Sequence, residues 1–195
     1  MVEHGITIAG KPLRDHMEAI DHVEAIGYVR DIARQPTPLT ELDIRNLHRL
    51  VVLRSMPAIA GRYADQGRYV VTDTGRRAFP SPAEVPALMR DFALWLGGAA
   101  DTPETAFTAH RRFVEIHPFN DGNGRTARLL MNLVLIRGGY PPVAIRPQDR
   151  PAYIAALQEA QRGDGPTSFN ALLFRRLDTT LDEYLVAARQ AITAE

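Results

Sequence analysis

One stretch constrains this chain more than any other: IHPFNDGNGRTAR, residues 116–128. A helical run carrying Ala106, Phe107, His110, Phe113 and Val114 on one face reaches Pro118, which breaks it. Gly122 and Gly124 follow. Helical spacing then resumes at about Gly124, with Leu129, Leu130, Leu133, Val134 and Ile136 apolar, and runs to Gly138-Gly139. Two helices must therefore flank a short glycine loop that also holds His117, Asp121, Arg125 and Arg128.

Such a loop suits an anion. A glycine loop opening a helix leaves the backbone N–H groups of Gly122, Asn123, Gly124 and Arg125 aimed at a shared space. The helix dipole adds about half a positive charge there, and phosphate binds such places. Arg125 and Arg128, three residues apart, can face one side of the first turn and hold a polyphosphate. Asp121 is an odd neighbour for an anion unless a divalent cation such as Mg²⁺ bridges it to phosphate oxygens. His117 is the side chain suited to take a proton near neutral pH. A helix start needs one cap. A Gly-Asn-Gly nest with two arginines and a base exceeds that need.

The rest of the chain reads as mostly helical. Leu13, Met17, Ile20, Val23, Ile26, Val29 and Ile32 give a helix after a short extended start that closes at Lys11-Pro12. Thr40 with Asp43 caps a helix through about Leu53. Ser81-Pro82-Ala83-Glu84 and Thr102-Pro103-Glu104 each mark a helix start. Further helices are expected near 149–162 and 167–192. Residues 61–80 differ: Tyr69, Val70, Val71 and Thr72 favour strand between turn-forming glycines, so a short β-hairpin is expected there.

Composition excludes several classes. With 195 residues and 23 basic against 23 acidic side chains, the chain suits one domain and lacks the cationic excess of a general nucleic-acid binder. No cysteine is available for a disulfide, a thiolate nucleophile or a zinc site. No apolar run approaches the roughly 18 residues needed to cross a bilayer, and the first residues lack a secretory signal pattern. A cytoplasmic protein without membrane or nucleic-acid partners is the expectation, although an exported effector would look the same. His16 and His22, six apart among Asp15, Glu18, Asp21 and Glu24, read as solvated polar residues on different helix faces. His110 reads as a packed, hydrogen-bonded histidine and Trp95 as core. His4 and His48 carry no signal.

HPFNDGNGRTAR resembles the Fic (Fido) family signature, His-Pro-Phe-x-(Asp/Glu)-Gly-Asn-Gly-Arg-x-x-Arg, at every defined position. The similarity extends to residues 10–26, 60–80 and 129–143. It implies a mainly α Fic fold over residues 1–195, with a hairpin flap at about 66–80 over the signature loop 117–128. It implies a protein adenylyltransferase that moves AMP from ATP to a Tyr, Thr or Ser hydroxyl of a target protein. His117 would be the general base, and Asp121 would hold Mg²⁺. Gly122, Gly124 and the side chain of Asn123 would cradle phosphate. Arg125 would neutralise charge, Arg128 would grip the γ-phosphate, and Phe119 would be buried and fix the loop. Tyr153 and Gln161 fall where relatives contact adenine. The flap residues Arg68, Tyr69, Val70, Val71, Thr72 and Asp73 would dock the target by strand addition. Ala64 stands where many relatives carry a basic residue.

Many relatives also carry an inhibitory (Ser/Thr)-x-x-x-Glu-(Gly/Asn) helix whose glutamate occupies the second signature arginine. It is expected upstream of the ITIAGKPL region, before this sequence starts. Thr179 and Glu183 have its spacing, but Tyr184 replaces Gly or Asn. The expectation is an uninhibited enzyme able to modify itself, unless a partner or a missing N-terminal helix supplies the glutamate. Alternatives are a Fic transferase using another donor (UMP, phosphate or phosphocholine) or a toxin held by an antitoxin. Kinase-type relatives lose the second glycine and last arginine; Gly124 and Arg128 are present, which favours AMP.

Overall fold

The structure, a computed structural model, describes residues 12–72 and 75–193. The extended start with His4, and Asp73 of the flap, lie outside the described residues. Among those described, seven helices and one hairpin follow in the order α1 (Leu13–Ala33), α2 (Glu41–Val52), β1 (Tyr69–Thr72), β2 (Gly75–Ala78), α3 (Val85–Gly98), α4 (Pro103–Ile116), α5 (Asn123–Arg137), α6 (Arg150–Arg162) and α7 (Thr167–Thr193). The fold is mainly α.

Helix α5 is the centre. Its residues Thr126, Ala127, Leu129, Leu130, Met131, Leu133, Val134 and Leu135 are buried on all sides, the pattern of a helix enclosed by others. It packs on α1, α2 and α4, and one continuous apolar core joins these to α3, α6 and α7. The loop that opens α5 is thereby fixed from behind.

The helix starts follow local chemistry. Thr40 accepts the Asp43 N–H while the Asp43 carboxylate accepts the Thr40 N–H, a reciprocal capping box for α2. The Thr102 side chain accepts the Thr105 N–H ahead of α4, with Pro103 in its first turn. At residues 81–84 the capping pair forms, with the Glu84 carboxylate accepting from the Ser81 N–H and hydroxyl at 2.8 and 2.6 Å. There it closes a turn, and regular helix begins only at Val85.

Helix α1 corrects two expectations. Its buried stripe is Asp21, Ala25, Val29 and Ile32, while Ile20 and Val23 are exposed. The apolar spacing set the face correctly only in the C-terminal half. A fully buried aspartate, Asp21, defines the other half. Its carboxylate accepts from the Arg54 N–H (3.0 Å), the Ser55 N–H (2.9 Å) and the Ser55 hydroxyl (2.8 Å). These groups lie just beyond the end of α2, so Asp21 ties α1 to that turn. Burial raises its pKa, but the Ser55 and Arg54 hydrogen bonds more than offset this and leave it below the ordinary value. Asp21→Ala strands two amides and is expected to cost about 2–4 kcal/mol, read as a lower urea midpoint at unchanged slope. A change below 0.5 kcal/mol would contradict this role.

The hairpin is antiparallel, pairing Tyr69 with Ala78, Val70 with Arg77, Val71 with Arg76 and Thr72 with Gly75. Its root is held by the Phe79 N–H donating to the Arg68 carbonyl at 3.0 Å.

Candidate active site

His117 ends α4 in the left-handed region, at φ 50° and ψ 56°. Among the described residues it alone adopts positive φ without being glycine. That conformation costs about 1–2 kcal/mol and gathers at functional sites. Pro118 enforces the helix stop, since the residue before proline avoids the right-handed helical region. The His117 N–H still donates to the Phe113 carbonyl at 2.9 Å. The reversal sends the ring into a cleft, where it stacks on Phe79 from the base of the flap, centroids 3.9 Å apart and 11° from parallel. Burial, with a smaller contribution from the Arg68 cation, lowers the imidazole pKa to about 4, and the Val114 carbonyl and Asp121 offset only part of this. The ring is thus neutral at neutral pH. Nδ1 is buried without a hydrogen-bond partner.

The loop after His117 is built from within. Phe119 is fully buried and stacks on His48 at 3.6 Å and 4°. The Asn123 side chain accepts the Phe119 N–H at 3.0 Å and donates to the Phe119 carbonyl at 2.7 Å. The Asn123 side-chain oxygen and one of its two N–H donors are thereby committed to closing the loop. The Ala64 N–H donates to the Pro118 carbonyl at 2.9 Å, joining the flap's approach to the loop.

His48, which carried no signal in the sequence, is the loop's floor. Its Nδ1 accepts the Gly61 N–H at 3.1 Å, so Nε2 carries the proton and donates to the Asp121 carbonyl at 3.0 Å. Burial, with a smaller contribution from Arg125, lowers its pKa to about 4. Gly122 sits directly above, at φ +77°, and a Cβ there would lie 2.9 Å from Val52 Cγ1 and 3.3 Å from His48 Nε2. Gly122→Ala therefore meets both strain and a clash; a stability loss of about 2–4 kcal/mol is expected in thermal or urea unfolding. Unchanged stability would contradict this packing.

Gly122 caps α5, and the Thr126 N–H closes the first turn on its carbonyl. The Gly122 N–H is taken by the Asp121 carboxylate. The open donors are therefore Asn123, Gly124 and Arg125, one fewer than expected from the sequence. Beside them Asp121 also meets Arg14 at 3.1 Å and Arg125 at 3.5 Å. Arg125 pairs with Glu18 at 3.2 Å, and Glu18 with Arg14 at 3.1 Å. Helix α1 thus supplies a charge clamp on two signature residues. Arg128 lies on the same side, against the Tyr153 hydroxyl. His22 is another correction: it is not simply solvated, because its Nδ1 is buried, and burial and the Arg128 and Arg125 charges lower its pKa.

A cleft of about 580 Å³ opens over the loop, a size ordinary for small-molecule sites. One wall carries Asp121, Gly122, Asn123, Gly124, Arg125 and Arg128; the flap contributes Val70 and Phe79; α6 contributes Tyr153, Ile154, Leu157 and Gln161. Tyr153 and Gln161 thus share one wall, eight residues apart along α6. Tyr69 and Val71 point outward and are exposed, with Arg76 over the Tyr69 ring at 4.5 Å. Arg68 turns inward toward the Pro80 carbonyl, its guanidinium partly buried. Thr72 donates its hydroxyl to the Gly75 carbonyl at 2.8 Å. Glu183 pairs with Arg146 at 2.8 Å rather than with Arg128.

The residues that sequence missed are His48, Phe79, Arg14 and Glu18. Only His48 left a trace, four residues after Ile44 and four before Val52 on the buried stripe of α2. Arg14 and Glu18 read as an ordinary surface pair.

Fold and loop together define a mainly helical protein with an anion-binding helix start under a hairpin. The Fic/DOC family model matches residues 38–135, half of the sequence, and the chain belongs to the Fic/DOC family. A curated relative, Protein adenylyltransferase Fic of Nematostella vectensis, is 37% identical over 194 residues, covering 96% of this chain and 44% of that protein. Protein adenylyltransferase fic-1 of Caenorhabditis elegans is 36% identical over 170 residues, 84% of this chain and 33% of that protein. The chain thus spans less than half the length of either relative. Among solved structures, a Fic domain containing signaling protein from Bacteroides thetaiotaomicron superposes with a TM-score of 0.87 at 33% identity, covering 97% of this chain and 78% of that one. A Fic-1 structure from C. elegans gives 0.84 at 32%, covering 97% and 57%.

Proposed function

We propose that this chain is a protein adenylyltransferase, transferring AMP from ATP to a hydroxyl of a protein target. The observation that carries the reading is a neutral, strained histidine placed at the mouth of an anion cradle with free helix amides. The names of the curated relatives support the same reaction. His117 takes the proton of the incoming Tyr, Thr or Ser hydroxyl. The hydroxyl oxygen attacks the α-phosphorus, the bond to the bridging oxygen of the β-phosphate breaks, and pyrophosphate leaves. Asn123, Gly124 and Arg125 amides with the Arg125 and Arg128 side chains meet the phosphate charge, a task of positioning and electrostatics. Ile154 and Leu157 offer the base an apolar wall, beside Tyr153 and Gln161.

Asp121 fits Mg²⁺. It is a hard carboxylate, half exposed, beside the cradle, and Mg²⁺ commonly takes one protein carboxylate with substrate phosphates completing its shell. Mg²⁺ bound there would neutralise charge between the phosphates. For Asp121 to hold Mg²⁺, Arg14 would have to give up the Asp121 oxygen it now pairs with, and Arg125 would meet phosphate in place of Glu18.

The hairpin supports a docking role. Its exposed Tyr69 and Val71 flank unpaired strand edges to which an extended target segment can add. We read Arg128 as open to the γ-phosphate, because Glu18, Asp121 and Glu183 all pair with other arginines. We also assign residues 12–193 to a single Fic domain, since one core spans them. The test uses ATP labelled at the α- or the γ-phosphate. Label entering protein from α-labelled ATP alone supports AMP transfer; label from γ-labelled ATP would replace it with a kinase reading.

A further inference from the structure

Behind Arg128 stands a pair of buried polar side chains whose hydrogen bond to each other is not explained by an adenine contact. Tyr153 of α6 and His110 of α4 meet at 2.9 Å, hydroxyl oxygen to Nε2. Both are buried, His110 almost completely. Phe169 of α7 packs against both rings and seals them from solvent. The far nitrogen of His110, Nδ1, is buried without a partner. A buried histidine that leaves one nitrogen unsatisfied is costly where packing alone is needed. A leucine or phenylalanine would fill the space without that cost. The one polar contact His110 makes leads to Tyr153, which lines the cleft together with Arg128, and the Arg128 charge acts on the Tyr153 hydroxyl.

We propose that His110 and Tyr153 are positioning residues that align Arg128 for the terminal phosphate of the nucleotide, and so select a triphosphate over a diphosphate. The inference rests on the reading of Arg128 as the γ-phosphate ligand. The physical case is short. Arginine has four rotatable side-chain bonds and, unless something holds it, loses that freedom when it binds phosphate. The Tyr153 oxygen has two lone pairs. It can accept one guanidinium N–H from Arg128 while its second site is fixed by His110. His110 is held by a helix in the core, so the chain His110–Tyr153–Arg128 transmits the position of α4 to a group in the cleft. With Nε2 protonated, His110 donates to Tyr153, and the Tyr153 hydroxyl hydrogen is left for the ligand. Burial, with a smaller contribution from the Arg128 charge, keeps the imidazole neutral in this arrangement.

Calorimetry with Mg-ATP and Mg-ADP tests this on the intact chain, without reference to turnover. Tyr153→Phe keeps the ring and removes the hydroxyl. It is expected to weaken ATP by about tenfold, the scale of one charge-assisted hydrogen bond, and ADP by less than about twofold. Arg128→Ala should show the same selectivity for ATP. The double variant should add little, because both changes remove one interaction. His110→Leu should behave like Tyr153→Phe, and His110→Gln, which keeps a donor, should recover part of the loss; melting temperatures check that each variant is folded. Equal losses for ATP and ADP in Tyr153→Phe would overturn the inference and place Tyr153 at the base or sugar. No loss in Tyr153→Phe alongside a selective loss in Arg128→Ala would overturn it while leaving the reading of Arg128 intact. Equal losses in Arg128→Ala would overturn that reading first, and the relay with it.

Discussion

His117→Ala is expected to lower the rate of AMP transfer by about 10²–10⁴-fold, the usual worth of a positioned general base, while Mg-ATP affinity changes by less than about threefold. The separation follows from geometry. The imidazole lies on the flap side of the cradle, stacked on Phe79, whereas the phosphate donors belong to the start of α5. Removing the ring also releases the chain from no structural duty beyond the Phe79 contact, and alanine in the left-handed region is no better suited than histidine. Initial rates with α-labelled ATP, beside calorimetry of the same variant, provide the check. Equal losses in affinity and rate would mean that His117 binds nucleotide rather than accepting the proton.

The second large effect concerns acid. His48 and His110 are fully buried and neutral, with burial lowering their pKa values to about 4 and about 3. In the unfolded chain both titrate near 6.5. At these two positions the unfolded state binds two protons that the folded state refuses, and stability falls as pH drops; His117, also lowered to about 4, adds in the same direction. The contribution is complete above about pH 6.5 and is lost progressively down to about pH 4. Each histidine supplies a slope of about 1.4 kcal/mol per pH unit, so the pair gives roughly 3 kcal/mol per unit. Between pH 6.5 and 5 this removes about 4 kcal/mol, a large share of a typical domain's stability. Carboxylates with lowered pKa, such as Asp21, act in the same direction but lose their contribution only at lower pH, below the ordinary carboxylate range. Urea midpoints at pH 7.5, 6 and 5 should drop steadily. A flat profile to pH 5 would show that these rings ionise in place. His48→Gln should flatten part of the slope while lowering stability at pH 7.5, since it loses the stack on Phe119.

The signature loop was legible because its residue types are unusual together within thirteen positions. Pro118 stops a helix, Gly122 permits a left-handed cap, and two arginines follow at helical spacing. Helix starts were legible where a side chain can reach its own backbone, as at Thr40 and Thr102. What the sequence hid depends on distant partners. The sequence does not show that the Asn123 side chain bonds both the N–H and the carbonyl of Phe119. Asp21 gives no sign in the sequence of the amides beyond α2 that are brought to it. The clamp of Arg14 and Glu18 on Asp121 and Arg125 joins residues more than a hundred positions apart. The early apolar spacing of α1 was misread at Ile20 and Val23 for the same reason: a buried carboxylate satisfied from elsewhere displaced the stripe. The hairpin's position followed from β-branched residues between glycines, but not the stacking of Phe79 on His117, which depends on how the flap root meets α4.

The central claim is that His117 and the cradle at the start of α5 move AMP. The most direct measurement is the intact mass of this chain after incubation with Mg-ATP, beside the His117→Ala variant and with CTP, GTP and UTP in parallel. The account expects a gain of one AMP unit with ATP, absent in the variant. A gain that persists in the variant, or the addition of a phosphate alone, would contradict it.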